Sequence, residues 1–203
     1  MIEIITTGSF QTNSYIISND KNECIIVDPG LDFKEASQYI KSKYIPKAIF
    51  ITHAHLDHID GIQYFMDLPI YIHKNDVEAL YDTNMSLYPM VDRLNPFRLG
   101  SLDVIEINDL DEIDLIGYTF KVLHTPGHTR GSVCFSYDNN LITGDTLFKG
   151  SCGRTDFPTG NYNQIIKSLR RIIEIYSNDY DVYPGHGEKT TIRDEKKYNP
   201  FIN

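Results

Sequence analysis

Four times along this chain a short apolar run ends in a turn that presents a metal-competent side chain, and no other feature limits the possible folds as tightly. The first run is Lys47-Ala-Ile-Phe-Ile-Thr52, followed at once by His53-Ala-His55-Leu-Asp57-His58. Phe120-Lys-Val-Leu-His124 leads through Thr125-Pro-Gly127 to His128. Leu141-Ile-Thr-Gly144 leads to Asp145, and Val182-Tyr-Pro-Gly185 leads to His186. Apolar runs bounded by Gly or Pro read as buried strands. Side chains at four separate strand ends can meet only if those ends line one edge of a layered sheet structure. Neutral imidazole nitrogen and carboxylate oxygen together suit a borderline divalent cation such as zinc, with iron or manganese also accepted.

The rest of the pattern supplies the layers. Strands are expected over 2–6, 14–17, 24–28 and 69–73, then between 104 and 137 and over 141–143. Helices are expected over 33–43, from Asp60, over 76–81 with Asn75 as cap, and over 163–176. The last carries Ile165, Ile166, Leu169, Ile172, Ile173 and Tyr176 on one stripe. Strands and helices in this order suit an α/β fold of the αββα sandwich type.

A chain of 203 residues can form one domain with a well-buried core, and no linker interrupts it. No apolar run approaches the roughly 20 residues that span a bilayer. Met1-Ile-Glu-Ile-Ile5 lacks a basic leader and a small-residue cleavage site. Cys24, Cys134 and Cys152 are an odd, widely spaced set, which argues against a disulfide framework and for the cytoplasm. The formal charge of -9 argues against nucleic-acid binding, which needs a basic face, and two divalent cations would offset part of it.

With its spacing and order, the set His53, His55, Asp57, His58, His128, Asp145 and His186 resembles the metal-binding set of the metallo-β-lactamase superfamily. Three stretches, 125–132, 143–157 and 182–192, resemble the glyoxalase II-like (hydroxyacylglutathione hydrolase-like) branch in its short bacterial form. The resemblance runs from Gly8-x-Phe-x-Thr-Asn-Ser-Tyr15 to Asn199-Pro-Phe201. It implies a four-layer αββα sandwich over 1–203 and two divalent metal ions, zinc foremost. His53, His55 and His128 would hold one ion, and Asp57, His58 and His186 the other. Asp145 would bridge them, and Asp57 would also bear on catalysis. The spacing agrees: His53 and His55 can share one side of an extended segment, while Asp57 and His58 need a turn to re-aim them. The implied reaction is hydrolysis of a small-molecule thioester, an S-2-hydroxyacylglutathione or a related thiol ester, by a hydroxide between the metals. A thiolate leaves without an acid, since thiols ionise near pH 8.5. Arg154 aligns with a basic position that contacts glutathione in the larger enzymes and could clamp a carboxylate.

Two departures stand out. The chain ends soon after Phe201, leaving no room for the helical C-terminal domain of the larger enzymes, and Gly187-Glu-Lys189 stands where they carry a thiol-holding tyrosine. The Gly153-Arg-Thr-Asp-Phe157 wording also occurs in iron persulfide dioxygenases, which hold a single iron, so that chemistry is the alternative. β-Lactam hydrolysis is not expected, because Asp145 replaces the ligand expected there. His73, His124 and Asp28 are read as supporting residues and Cys152 as packing. Tyr81–Met90, rich in Tyr and Met, is expected to line a mouth over the metals or to meet a neighbouring subunit.

Overall fold

Strict alternation along the strands builds the middle of the molecule, described for residues 1–202 by a computed structural model. The first sheet takes β1 (Ile2–Thr7), β2 (Thr12–Ser18), β3 (Glu23–Val27), β4 (Ile45–Ile51), β5 (Ile70–His73) and β6 (Val104–Ile107) in chain order. Its first three strands pair antiparallel, and β3 through β6 pair parallel. The chain continues through β7 (Glu112–Leu115), β8 (Tyr118–His124), β9 (Val133–Tyr137) and β10 (Asn140–Gly144). A small hairpin of β11 (Leu147–Phe148) and β12 (Ser151–Cys152) follows, then β13 (Asp181–Pro184) and β14 (Thr190–Thr191). Without the hairpin these form the second sheet in the order β7-β8-β9-β10-β13-β14, antiparallel except between β10 and β13.

Tyr15, Ile17, Val27 and Phe50 point inward from the first sheet against Phe120, Val122, Phe135 and Ile142 of the second. Their neighbours Ile16, Ile26, Ile49 and Ile51 point outward, as the two-residue strand period requires. That outer face is covered by α1 (Lys34–Lys43), α2 (Leu56–Ile59) and α3 (Val77–Tyr81). The outer face of the second sheet is covered by α4 (Tyr162–Ile175) and α5 (Ile192–Tyr198), through Leu169, Ile172 and Ile192. The result is the four-layer αββα sandwich. Phe50 sits at its centre, with ring centroids 4.8 Å from Phe135, 5.1 Å from Phe120 and 5.2 Å from Tyr71. Cutting Phe50 to Ala would cost about 3–5 kcal/mol in cavity and lost burial.

Local chemistry moves two helix boundaries. The helix expected from Asp60 starts earlier, as one α turn from Leu56, and tightens into a 3-10 turn over Asp60–Tyr64. Asn75 does not cap the next helix. Its own N–H donates to the His73 imidazole at 3.3 Å, in a 3-10 turn over Lys74–Asp76 that precedes α3. On α4 the Asn161 side chain accepts from the Gln164 N–H at 3.0 Å and starts the helix at Tyr162. Its stripe is buried at Ile165, Leu169, Ile172 and Tyr176 and half-buried at Ile166 and Ile173. No helix among the described residues is long and apolar enough to cross a membrane.

Candidate metal centre

All seven His and Asp residues singled out in the sequence converge at the strand ends where the two sheets open. His53 and His55 follow β4, and the single turn of α2 swings Asp57 and His58 back toward them. His128 comes from the β8–β9 loop, Asp145 from the end of β10 and His186 from the end of β13. Close approach requires glycine at two of these ends. Gly144 has φ +48°, and a Cβ there would stand 2.3 Å from Thr52 Oγ1. A Cβ on Gly185 would stand 2.2 Å from Asp145 Oδ1.

Three groups of donor atoms lie close enough to share an ion: His53, His55 and His128; His53, His58 and Asp145; and Asp57, His58 and His186. Asp145 is central. Its Oδ1 lies 3.4 Å from His58 Nε2, and its Oδ2 lies 3.5 Å from both His128 Nε2 and His186 Nε2. Asp57 Oδ2 lies 3.3 Å from His186 Nε2 and accepts from the Thr12 hydroxyl at 3.1 Å.

The surroundings fix which nitrogen of each ring faces the centre. His128 Nδ1 donates to the Arg154 carbonyl at 2.7 Å, and His186 Nδ1 to the Phe10 carbonyl at 3.0 Å, because a carbonyl only accepts. His58 Nδ1 donates to Asp28 Oδ2 at 2.9 Å. Thr52 gives its one hydroxyl proton to Asp28 Oδ2 at 2.6 Å, so it accepts from His53 Nδ1 at 3.2 Å. All four rings thus turn Nε2 inward. The Nε2 atoms of His53, His55, His58 and His128, and Asp145 Oδ1, are buried without a hydrogen-bond partner. Orphaned polar atoms at such density are costly unless a cation fills the space among them. The donor set therefore fits divalent metal.

Electrostatics separates the set. Burial first, then the neighbouring imidazoles, push His53 well below the usual histidine range and His55 down to about 3. Burial alone would also lower His186, but the carboxylates of Asp145 and Asp57 outweigh it and push it up to about 10. His58 is raised in the same way by Asp57, Asp145 and Asp28. Burial would raise Asp57, yet His58 and His186 bring it down to about 2.

The supports divide between those legible in the sequence and those that are not. Asp28 holds His58 and also accepts the Thr52 N–H at 2.8 Å. His73 and His124 stay outside the cluster, their rings stacked 4.0 Å apart and 8° from parallel. The sequence marks Asp76 only as a helix residue, but its buried carboxylate ties the two histidine loops together. It accepts from the Ala54 N–H at 3.2 Å, the Thr129 hydroxyl at 2.7 Å and the Gly131 N–H at 2.8 Å. Asn13 clamps the His186 loop by donating to the Pro184 and Gly187 carbonyls at 3.1 and 2.9 Å. These partners lie too far apart in sequence for any local pattern to reveal.

Above the cluster opens a cavity of about 450 Å³. Phe10, Leu87, Met90, Phe148 and Phe157 line it with His55, Asp57, His128, Asp145 and His186. The 81–90 segment therefore contributes to the mouth. Arg154 is in the wall, with Nε and Nη2 donating to Asp156 at 2.7 and 2.6 Å and its guanidinium 3.9 Å above the Phe157 ring.

Residues 7–186 match the sequence pattern of the metallo-beta-lactamase superfamily, and the chain belongs to that superfamily. Among its relatives, the hydroxyacylglutathione hydrolase GloC of Haemophilus influenzae is 33% identical over 100% of this chain and 98% of its own. The probable metallo-hydrolase YqgX of Bacillus subtilis is 34% identical over 97% of this chain and 94% of its own. Among solved structures, BLEG-1 B3 metallo-beta-lactamase superposes with TM-score 0.91 at 33% identity, covering 100% of both chains. TTHA1623 in a di-iron-bound form superposes with TM-score 0.82 at 31% identity, over 98% of this chain and 99% of that one. ETHE1 from Myxococcus xanthus superposes with TM-score 0.78 at 26% identity, over 98% and 83%.

Proposed function

We propose that this protein is a metal-dependent thioester hydrolase of the glyoxalase II-like branch, acting as a single domain in the cytoplasm on a small-molecule substrate. The observation that carries the metal reading is the set of orphaned inward-facing donors, four imidazole nitrogens and one carboxylate oxygen. His53, His55 and His128 would hold one divalent cation, Asp57, His58 and His186 a second, and Asp145 would touch both, with zinc the metal we favour. When bound, the ions would supply a water ionised near neutral pH and an electrophile for the acyl carbonyl.

The chain's own groups do the rest. Asp57 stays ionised in the pocket wall, fixed by the Thr12 hydroxyl, and orients the attacking oxygen; we assign it to catalysis. Hydrolysis forms an acyl C–O bond and breaks the C–S bond, giving a carboxylate and a thiol. The lining outside the donor set offers Ser151, Cys152 and Arg154 as its polar groups, with no carboxylic acid or imidazole among them to deliver a proton to an amine leaving group. A thiolate needs no such acid. Arg154 is the residue we assign to the thiol carrier. The likeness to GloC and the unpaired cysteines support the reading and its location.

A second reading, oxidation of a thiol-bound persulfide by dioxygen at one iron, rests on the Gly153–Phe157 wording. The discriminating experiment gives purified, metal-loaded protein a thioester, a glutathione persulfide with dioxygen, and a chromogenic β-lactam. Thioester hydrolysis at a kcat of order 1 s⁻¹ or above (roughly the lower end of ordinary enzymes) supports the proposal. Oxygen uptake or β-lactam opening without thioester hydrolysis overturns it.

A further inference from the structure

We infer that the pocket selects thioesters with an apolar acyl group, carried on a thiol with no more than one anionic group. This rests on the hydrolase reading and names its substrate class. Outside the donor set, the wall is apolar at Phe10, Leu56, Leu87, Met90, Phe148 and Phe157. Outside the donor set the one cation in the wall is Arg154, and its fork already holds Asp156. The next cation along the chain, Lys149, is paired with Glu188. A carrier with two carboxylates, such as glutathione, would meet one shared guanidinium on a chain of formal charge -9.

The apolar side is built rather than incidental. Leu87 and Asp92 both take left-handed backbone, at φ +68° and +53°, on either side of the 3-10 turn Tyr88–Val91. Such conformations cost about 1–3 kcal/mol each in non-glycine residues and persist where surrounding structure enforces them. Here the Ser86 carbonyl accepts from the Leu56 N–H at 2.8 Å, and the buried Tyr88 hydroxyl donates to Asp60 at 3.2 Å. The turn is thereby pinned to α2, the element that bears Asp57 and His58, and it holds Leu87 and Met90 at the mouth. Met90 is 53% exposed and Phe10 40% exposed, an apolar rim that a substrate would cover.

The test uses metal-loaded protein and straight-chain acyl esters of N-acetylcysteamine, a neutral thiol, from acetyl to octanoyl, beside matched glutathione esters. Each added methylene should raise kcat/KM about three- to fourfold until the cavity is filled. The glutathione ester of a given acyl group should fall below its neutral counterpart. Met90→Ser, at an exposed position that folding does not depend on, should flatten the rise. A second readout avoids turnover: non-hydrolysable S-alkyl thioethers of the same thiol should bind with Kd falling about three- to fourfold per methylene. Hydrolysis without chain-length dependence, or preference for 2-hydroxyacyl glutathione esters, overturns the inference and leaves the hydrolase reading standing. Absence of hydrolysis for every ester overturns both.

Discussion

The two ends of the metal centre are neutralised in opposite ways. The His53, His55 and His128 end is all imidazole and the more deeply sealed, although His55 and His128 still line the pocket floor, and burial strips His53 and His55 of protons far below neutral pH. The Asp57, His58 and His186 end is the more open to the pocket, through Asp57 and His186, and there carboxylates push His186 up to about 10. At one end His53 and His55 offer free lone pairs; at the other the carboxylates bring charge, balanced by protons that a cation would displace. Asp145 lies 3.5 Å from a donor at either end, His128 and His186, and would join the two into one site.

Breaking that junction should have the largest effect. Asp145→Ala should abolish turnover and leave neither end able to retain metal through dialysis; full activity would remove the bridge from the account. Asp28→Asn acts first on the pocket end, by weakening the direct hold on His58 Nδ1, and reaches His53 only through the Thr52 hydroxyl. It should lower the affinity of one of two ions by about 10–100-fold, read by chelator competition, with the other less affected. Equal loss at both would contradict the division of the site. Asp76→Asn acts on the sealed end, since one carboxamide oxygen cannot serve donors that now reach both carboxylate oxygens. It should weaken the sealed-end ion about 10-fold and cost about 1–3 kcal/mol in urea unfolding. A stability loss with both affinities intact would make Asp76 structural only.

The smallest effect concerns a buried histidine whose nearby carboxylates, Asp109 and Asp111, do not outweigh its burial. His73 is pushed down to about 4 from the ordinary histidine value of 6.5, by burial first and by stacked His124 second. The unfolded chain therefore takes up this proton first as pH falls. The stability it contributes is complete above about pH 6.5 and is lost progressively as the pH drops through about 4. Metal-free His73→Gln should show a shallower loss of urea midpoint between pH 7 and 4.5 than metal-free wild type. Parallel slopes would assign the acid sensitivity to other groups.

How much the sequence discloses follows the range of the forces involved. Apolar runs, Gly turns and ligand types are local, so the four strand ends and all seven donors are legible in the chain itself. The order of layers is legible for the same reason, through alternation and the α4 stripe. Asn75 misleads because a cap is local, while the neighbouring Asp76 carboxylate is drawn to Ala54, Thr129 and Gly131, contacts that exist only after folding. The clamp of Asn13 on the His186 loop spans 171 residues and leaves no local trace. Arg154 is legible as a pocket residue, but neither its pairing with Asp156 nor its carbonyl's hold on His128 can be read from its position.

We take the inward-facing donors to form one site for two ions. Elemental analysis of metal per chain, on protein purified without added metal or chelator, decides the matter. About two ions per chain, as zinc or a zinc and iron mixture, is the predicted result. A single iron per chain, or no bound metal even after incubation with zinc, would contradict it.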